Sequence, residues 1–221
     1  MEGAGLSAKE RAYRYTKAAI LDGSLPGGDL ISEGQVAEAL AMSRTPAREA
    51  FLRLEAEGLL RLFPKRGALV VAVSPVEVEA VLEARQLVEG HALTKLCSTG
   101  EGERAAVLTR LREVLDTQRA ALAVGDETAF AEGDRHFHTA LVESARNPIL
   151  VELYGSLRDR QLRMNLGSLT PGAGRAEEIL AQHEAILDAL GPGRAAEAVE
   201  RLADHLGATR AAVLGRAALP R

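Results

Sequence analysis

The stretch 31–70 reads "ISEGQVAEALAMSRTPAREAFLRLEAEGLLRLFPKRGALV", and its periodicity decides the fold of the N-terminal part of the chain. Ser32 is an N-cap candidate for a short helix through Leu40, with Val36, Ala37 and Leu40 on its buried side. "AMS" (41–43) is a tight turn. Ser43 is expected to cap a further helix, Arg44 to Glu57, which Gly58 ends in the usual C-terminal place. Two short apolar runs follow, "LLRLF" and "ALVVAV", joined by "PKRG", and these predict a small β-hairpin. Upstream, 9–23 reads as a helix with Ala12, Tyr15, Ala19 and Ile20 on one stripe. The loop "GSLPGGD" separates it from Ser32.

Three short helices and then a hairpin is the order of a winged helix-turn-helix, in which the second and third helices are joined by a turn of about three residues. The first turn of the third helix carries Arg44, Thr45 and Arg48. A recognition helix touches base edges with its N-terminal residues. Arg matches the guanine O6/N7 pair, and Thr suits a phosphate or a thymine methyl. Lys65 and Arg66 sit at the hairpin tip, where they can reach a second groove or the backbone. Arg44 and Arg48 alone would read as a solvated i, i+4 face near Glu49 and Glu55. The agreement of turn, helix start and wing favours DNA.

Composition bounds the rest. The chain has 221 residues, 47% of them hydrophobic, 26% charged and 3% aromatic. A core built from Leu, Val, Ile and Ala favours helices. The apolar runs are far shorter than the ~20 residues that span a bilayer, and "MEGAGLSAKERAYRY" has no apolar signal region. The single cysteine, Cys97, excludes an internal disulfide and fits a reducing cytoplasm. The net charge of -4 argues against a nucleic-acid binder. Its distribution does not: residues 1–74 carry a net +1 and the remainder a net -5, so a local basic surface is compatible with the whole.

Ser74-Pro75 is a boundary, with Ser as N-cap and Pro at the first helical position. Helices are expected at about 75–97, 102–124, 126–145, 148–168, 175–190 and 193–216. The fold class is therefore mainly α: a winged helix-turn-helix over 1–74, then an all-α bundle of six helices over 75–221.

The stretch "EGDRHFHTAL" (132–141) raises a second question. At about 100° per residue, Asp134 and His138 fall on the stripe of Phe130, Phe137 and Leu141, while His136 falls on the far side. His183 lies among Ile179, Ile186, Leu187 and Leu190, and His205 among Ala198, Val199, Leu202 and Leu206. Three helices each turn an imidazole inward, and one adds a carboxylate. Burying these groups unpaired is costly; a shared divalent ion would satisfy all four. A lone inward His is more often a satisfied core residue, but three on separate helices are hard to satisfy singly. His suits Zn, Ni, Cu and Fe, and the carboxylate also admits Mn. His91 and His136 read as surface residues.

Two resemblances sharpen these readings. "SRTPxREA", "RLExEGLL" and the "KRGAxV" wing, within about residues 7–73, closely resemble the DNA-binding domain of GntR-family bacterial transcription regulators. That resemblance implies DNA contacts at Arg44, Thr45, Arg48, Lys65, Arg66 and Gly67. One departure is Gly34, where the family often carries a basic residue, so the operator is expected to differ. Residues 77–213 are similar to the all-helical FCD ligand-binding domain of the FadR-type branch. Its metal-binding members carry an Asp, a His four residues later and two further His on the last two helices. "DRHFH", "AQHEAIL" and "ADHLGAT" supply Asp134, His138, His183 and His205, and the helix count matches the six-helix subgroup. Zn is the first choice of metal, with Ni or Mn as alternatives. The resemblance also implies a small organic-acid or sugar-acid effector and a homodimer on a two-fold operator.

Four protein ligands leave one or two positions open on a five- or six-coordinate ion. A sensor would give that position to an effector oxygen; an enzyme would give it to an activated water. No second carboxylate–His motif supplies a general base, and Glu184 points about 100° away from His183, so a sensor is preferred. Arg85 lies mid-way along the apolar face of 75–97, where it needs an anion: an effector carboxylate, or Glu89 at i+4. Arg158 and Asn165 are further effector-binding candidates on the inner edge of 148–168. The expectation is a cytoplasmic regulator with no membrane partner, repression being the simplest mode. The competing readings are a regulator with a purely structural metal, and a metal-dependent enzyme fused to a DNA-binding domain.

Overall fold

In the structure, a computed structural model, residues 6–165 and 174–217 are described. The chain divides into two compact units, Met1–Ser74 and Pro75–Arg221.

The first unit holds α1 (Ala8–Leu21), β1 (Leu30–Ile31), α2 (Glu33–Ala39), α3 (Arg44–Ala56), β2 (Leu60–Phe63) and β3 (Gly67–Val70). Ser32 caps α2 through a capping box, its hydroxyl accepting from the Gln35 amide while the Gln35 side chain accepts from the Ser32 amide. Two left-handed residues end helices on either side of the turn. Ala41 (φ 49°) follows α2, with Met42 N–H donating to Ala37 C=O at 2.9 Å; Gly58 (φ 72°) follows α3, with Leu59 N–H donating to Leu54 C=O at 2.9 Å. Both are Schellman-type closures. Ser43 precedes α3, but its side chain makes no capping hydrogen bond.

Two expectations are corrected here. The hairpin is the larger part of a three-stranded antiparallel sheet in the order β1-β3-β2. β1 adds the pairs Leu30↔Leu69 and Ile31↔Ala68; two residues in a loop are too short for a period-2 signal. On α1 the buried aromatic is Tyr13, not Tyr15, which is 45% exposed. Tyr13 faces α3: its hydroxyl donates to Glu57, and the Arg53 guanidinium lies 3.5 Å from its ring centre. Ala12, Ile20, Val36, Ala47, Phe51, Leu54 and Ala68 fill the core between helices and sheet.

Among the described residues, the second unit holds six helices: α4 (Pro75–Cys97), α5 (Glu101–Ala123), α6 (Glu127–Ser144), α7 (Pro148–Asn165), α8 (Arg175–Leu190) and α9 (Ala195–Ala217). α4 packs on α6, α7 and α9; α5 packs on α6 and α8; α8 packs on α9. The face of α4 expected to be apolar is buried throughout, Arg85 included. Gly133 lets α6 approach α5, since a Cβ there would stand 2.8 Å from the Gln118 Cβ. No helix among the described residues is long and apolar enough to cross a membrane.

Candidate functional site: a buried Asp–His cluster and an exposed helix start

α6, α8 and α9 bring Asp134, His138, His183 and His205 together, with one ligand atom from each lying within 4.8 Å of the others. Ligand bonds of about 2.1 Å set opposite ligands about 4.2 Å apart, so this spread is close to a single coordination shell. His138, His183 and His205 are buried, and Asp134 is largely so. The rings crowd one another: His138 lies 5.0 Å from His183 and from His205 between centroids, and Phe137 stacks on His183 at 4.1 Å. The one direct ionic approach within the set is His183 Nε2 to Asp134 Oδ1, at 3.6 Å.

The hydrogen bonds behind the cluster fix the rings. His138 Nδ1 meets the Glu89 carboxylate at 2.7 Å, and His205 Nδ1 meets the Gln182 side-chain oxygen at 2.9 Å. Both partners accept, so each Nδ1 donates to its partner and leaves Nε2 as the ring atom that could act as a ligand. The Nε2 of His138 and both ring nitrogens of His183 are buried without a hydrogen-bond partner among the described residues. Such orphaned nitrogens are costly unless something coordinates them. Burial holds the His183 imidazole well below the usual range, and proximity to His138, Arg85 and Arg175 adds to this. His205 is lowered in the same way, by burial first and then by His183, His138 and Arg85. Neutral imidazoles are the form that binds a cation.

Glu89, completely buried on α4, joins this cluster to Arg85. Its Oε1 accepts from Arg85 Nε at 2.7 Å and from the Tyr154 hydroxyl at 2.7 Å. Burial alone would raise its carboxyl; Arg85 and His138 outweigh that and hold it ionised. Burial likewise opposes the charge on Arg85, and the Glu89 carboxylate restores it. Arg85 thus has the i+4 partner considered above. It also lines a cavity of about 50 Å³ beside the cluster, shared with Asp134, Gln161, Arg175, His205 and Thr209. The side chains of Arg158 and Asn165 lie outside the described residues.

Periodicity had no access to Tyr154, Gln182 and Arg175. Gln182 directly precedes His183, and Tyr154 is a rare buried aromatic on α7, but only packing joins them to the site. His91 and His136 are exposed, and Glu184 faces outward, paired with Arg119.

In the first unit, Arg44, Thr45 and Arg48 are exposed on the first turns of α3. Lys65 and Arg66 are exposed between β2 and β3, and Gly67 has a φ of 94°. The Arg44 guanidinium lies over Gly34, where an added Cβ would stand 3.6 Å from it.

Comparison with known proteins agrees with both halves. Residues 8–70 match the family of bacterial regulatory proteins, gntR family, and residues 80–208 match the FCD domain. The chain is 36% identical, over 61% of its length and 78% of the relative's, to an uncharacterized HTH-type transcriptional regulator in the TAR-I ttuE-ttuC' intergenic region of Agrobacterium vitis. It is 29% identical to the HTH-type transcriptional repressor RspR of Escherichia coli, over 89% of this chain and 85% of that one. A crystal structure of a putative GntR regulator from Rhodococcus sp. RHA1 superposes with a TM-score of 0.77 and 28% identity, covering 97% of this chain and 100% of that one. The chain belongs to the GntR family of bacterial regulatory proteins, in the branch that carries an FCD domain, and is a DNA-binding transcriptional regulator rather than an enzyme.

Proposed function

We propose that this regulator is a cytoplasmic repressor whose hold on its operator is set by a small carboxylate effector at a metal site formed by Asp134, His138, His183 and His205. The observation that carries the reading is the set of buried imidazole nitrogens with no hydrogen-bond partner among the described residues, converging with a carboxylate. Zn is the first expectation from a His-rich donor set, with Ni or Mn as alternatives. A bound ion would supply a Lewis-acidic position for an effector oxygen. The chain's own residues do the remainder: Glu89 and Gln182 orient two of the rings, and Arg85 offers a guanidinium at the cavity wall.

At the operator, Arg44, Thr45 and Arg48 enter the major groove, with Lys65, Arg66 and Gly67 at the wing. A homodimer reads two half-sites. The repressor named among the relatives supports this direction of control. Effector and DNA then oppose each other reciprocally.

Calorimetry on zinc-loaded and chelator-stripped full-length chain tests the reading. Short carboxylates should bind the loaded form and not the stripped one, and should release a duplex selected from a random DNA library. Equal binding to both forms would make any metal purely structural, and turnover of the acid would make the domain an enzyme.

A further inference from the structure

Two guanidinium groups from different helices line the cavity beside the Asp–His cluster: Arg85 from α4, and Arg175 from the first residue of α8. Their situations differ. Arg85 is 1% exposed, and its Nη2 is buried with no hydrogen-bond partner among the described residues. An unmade, charged donor of this kind is costly to bury, and a carboxylate oxygen would satisfy it. Arg175 pairs with Glu178 at 2.8 Å, a carboxylate 51% exposed, and approaches Thr209 Oγ1 at 3.5 Å. An ion pair to a half-exposed carboxylate is weak and screened, so it exchanges easily for an anion in the cavity.

One carboxylate needs one such fork, and this wall has two. The same lining includes Phe130, Ile179 and Ala212, which reward a carbon chain rather than a third charge. The volume of about 50 Å³ has room for only a few water-sized groups, at roughly 10–15 Å³ each.

We propose that the effector is a short dicarboxylate, one carboxylate meeting Arg85 beside the Asp–His cluster and the other meeting Arg175. This rests on the carboxylate-sensor reading above and names its ligand class. Arg175 is then the specificity-determining residue. A monocarboxylate of the same length leaves it with Glu178 and gains nothing from it.

Matched acids that differ in one terminal group test this: malate against 2-hydroxybutyrate, and hydroxymalonate against lactate, titrated into zinc-loaded full-length chain. The diacid of at least one pair is expected to bind about tenfold or more tightly than its partner, as a charge-assisted hydrogen bond implies. Arg175→Met should remove that preference and leave monoacid affinity, metal content and melting temperature unchanged. Arg175→Lys should keep part of it. Equal affinities within both pairs, or an Arg175→Met loss shared by diacid and monoacid, would overturn the dicarboxylate assignment while the carboxylate site stands. If none of the four acids binds, the sensor reading falls with it.

Discussion

Glu89 holds one carboxylate between three buried partners, Arg85, Tyr154 and His138. Glu89→Ala would strand a buried guanidinium and free His138 to turn. It should destabilise the chain by about 3–5 kcal/mol, the usual cost of breaking a buried pair from one side, measured by chemical denaturation. Glu89→Gln keeps the volume and should show its main effect as a metal affinity about 10–100-fold weaker. A second residue-scale expectation concerns pH. His183 and His205 stay neutral when folded, because burial lowers both. In the unfolded chain they take up protons as the pH falls through about 6.5. The unfolded state then binds more protons, so stability falls with falling pH below that point. The melting temperature of metal-stripped chain should drop between about pH 7.5 and 5.5, and His183→Gln should flatten the dependence. At this scale the inward residues Asp134, His138, His183 and His205 were legible, because helical period alone places a side chain on a face. Tyr154 and Gln182 were not, because their roles depend on which helix packs opposite.

Elements were legible where local chemistry is strong: the Ser32 N-cap, Gly58 after α3, Pro75 opening α4. β1 was hidden, since its two residues have no pattern of their own and pair only because β3 lies beside them. Gly67 fixes that pairing. Its φ is 94°, and an added Cβ would stand 2.6 Å from the Ile31 carbonyl oxygen. Gly67→Ala should therefore separate β1 from β3 and lower the stability of the first unit by roughly 1–3 kcal/mol, visible as faster amide exchange at Val70, which bonds back to Asp29. Unchanged exchange would place the strain elsewhere. Gly133→Ala should cost a similar ~1–3 kcal/mol by forcing α5 from α6.

For the whole molecule, the proposed control joins DNA binding by the first unit to ligand binding by the second through linked equilibria. The order of three helices and a hairpin, then six helices, was readable because capping residues and glycines mark each break. The cavity was not, because its wall comes from α4, α6, α7, α8 and α9 at once. Arg48→Ala should weaken binding to the selected duplex by about 1–3 kcal/mol and relax the preference at one base position. Unchanged affinity and preference in an anisotropy titration would remove Arg48 from the interface. The central claim, that Asp134, His138, His183 and His205 hold one ion, is tested most directly by metal content per chain after zinc loading and desalting. Wild type should retain about one zinc per chain, and His183→Ala/His205→Ala almost none. Equal occupancy in the two proteins would contradict the account.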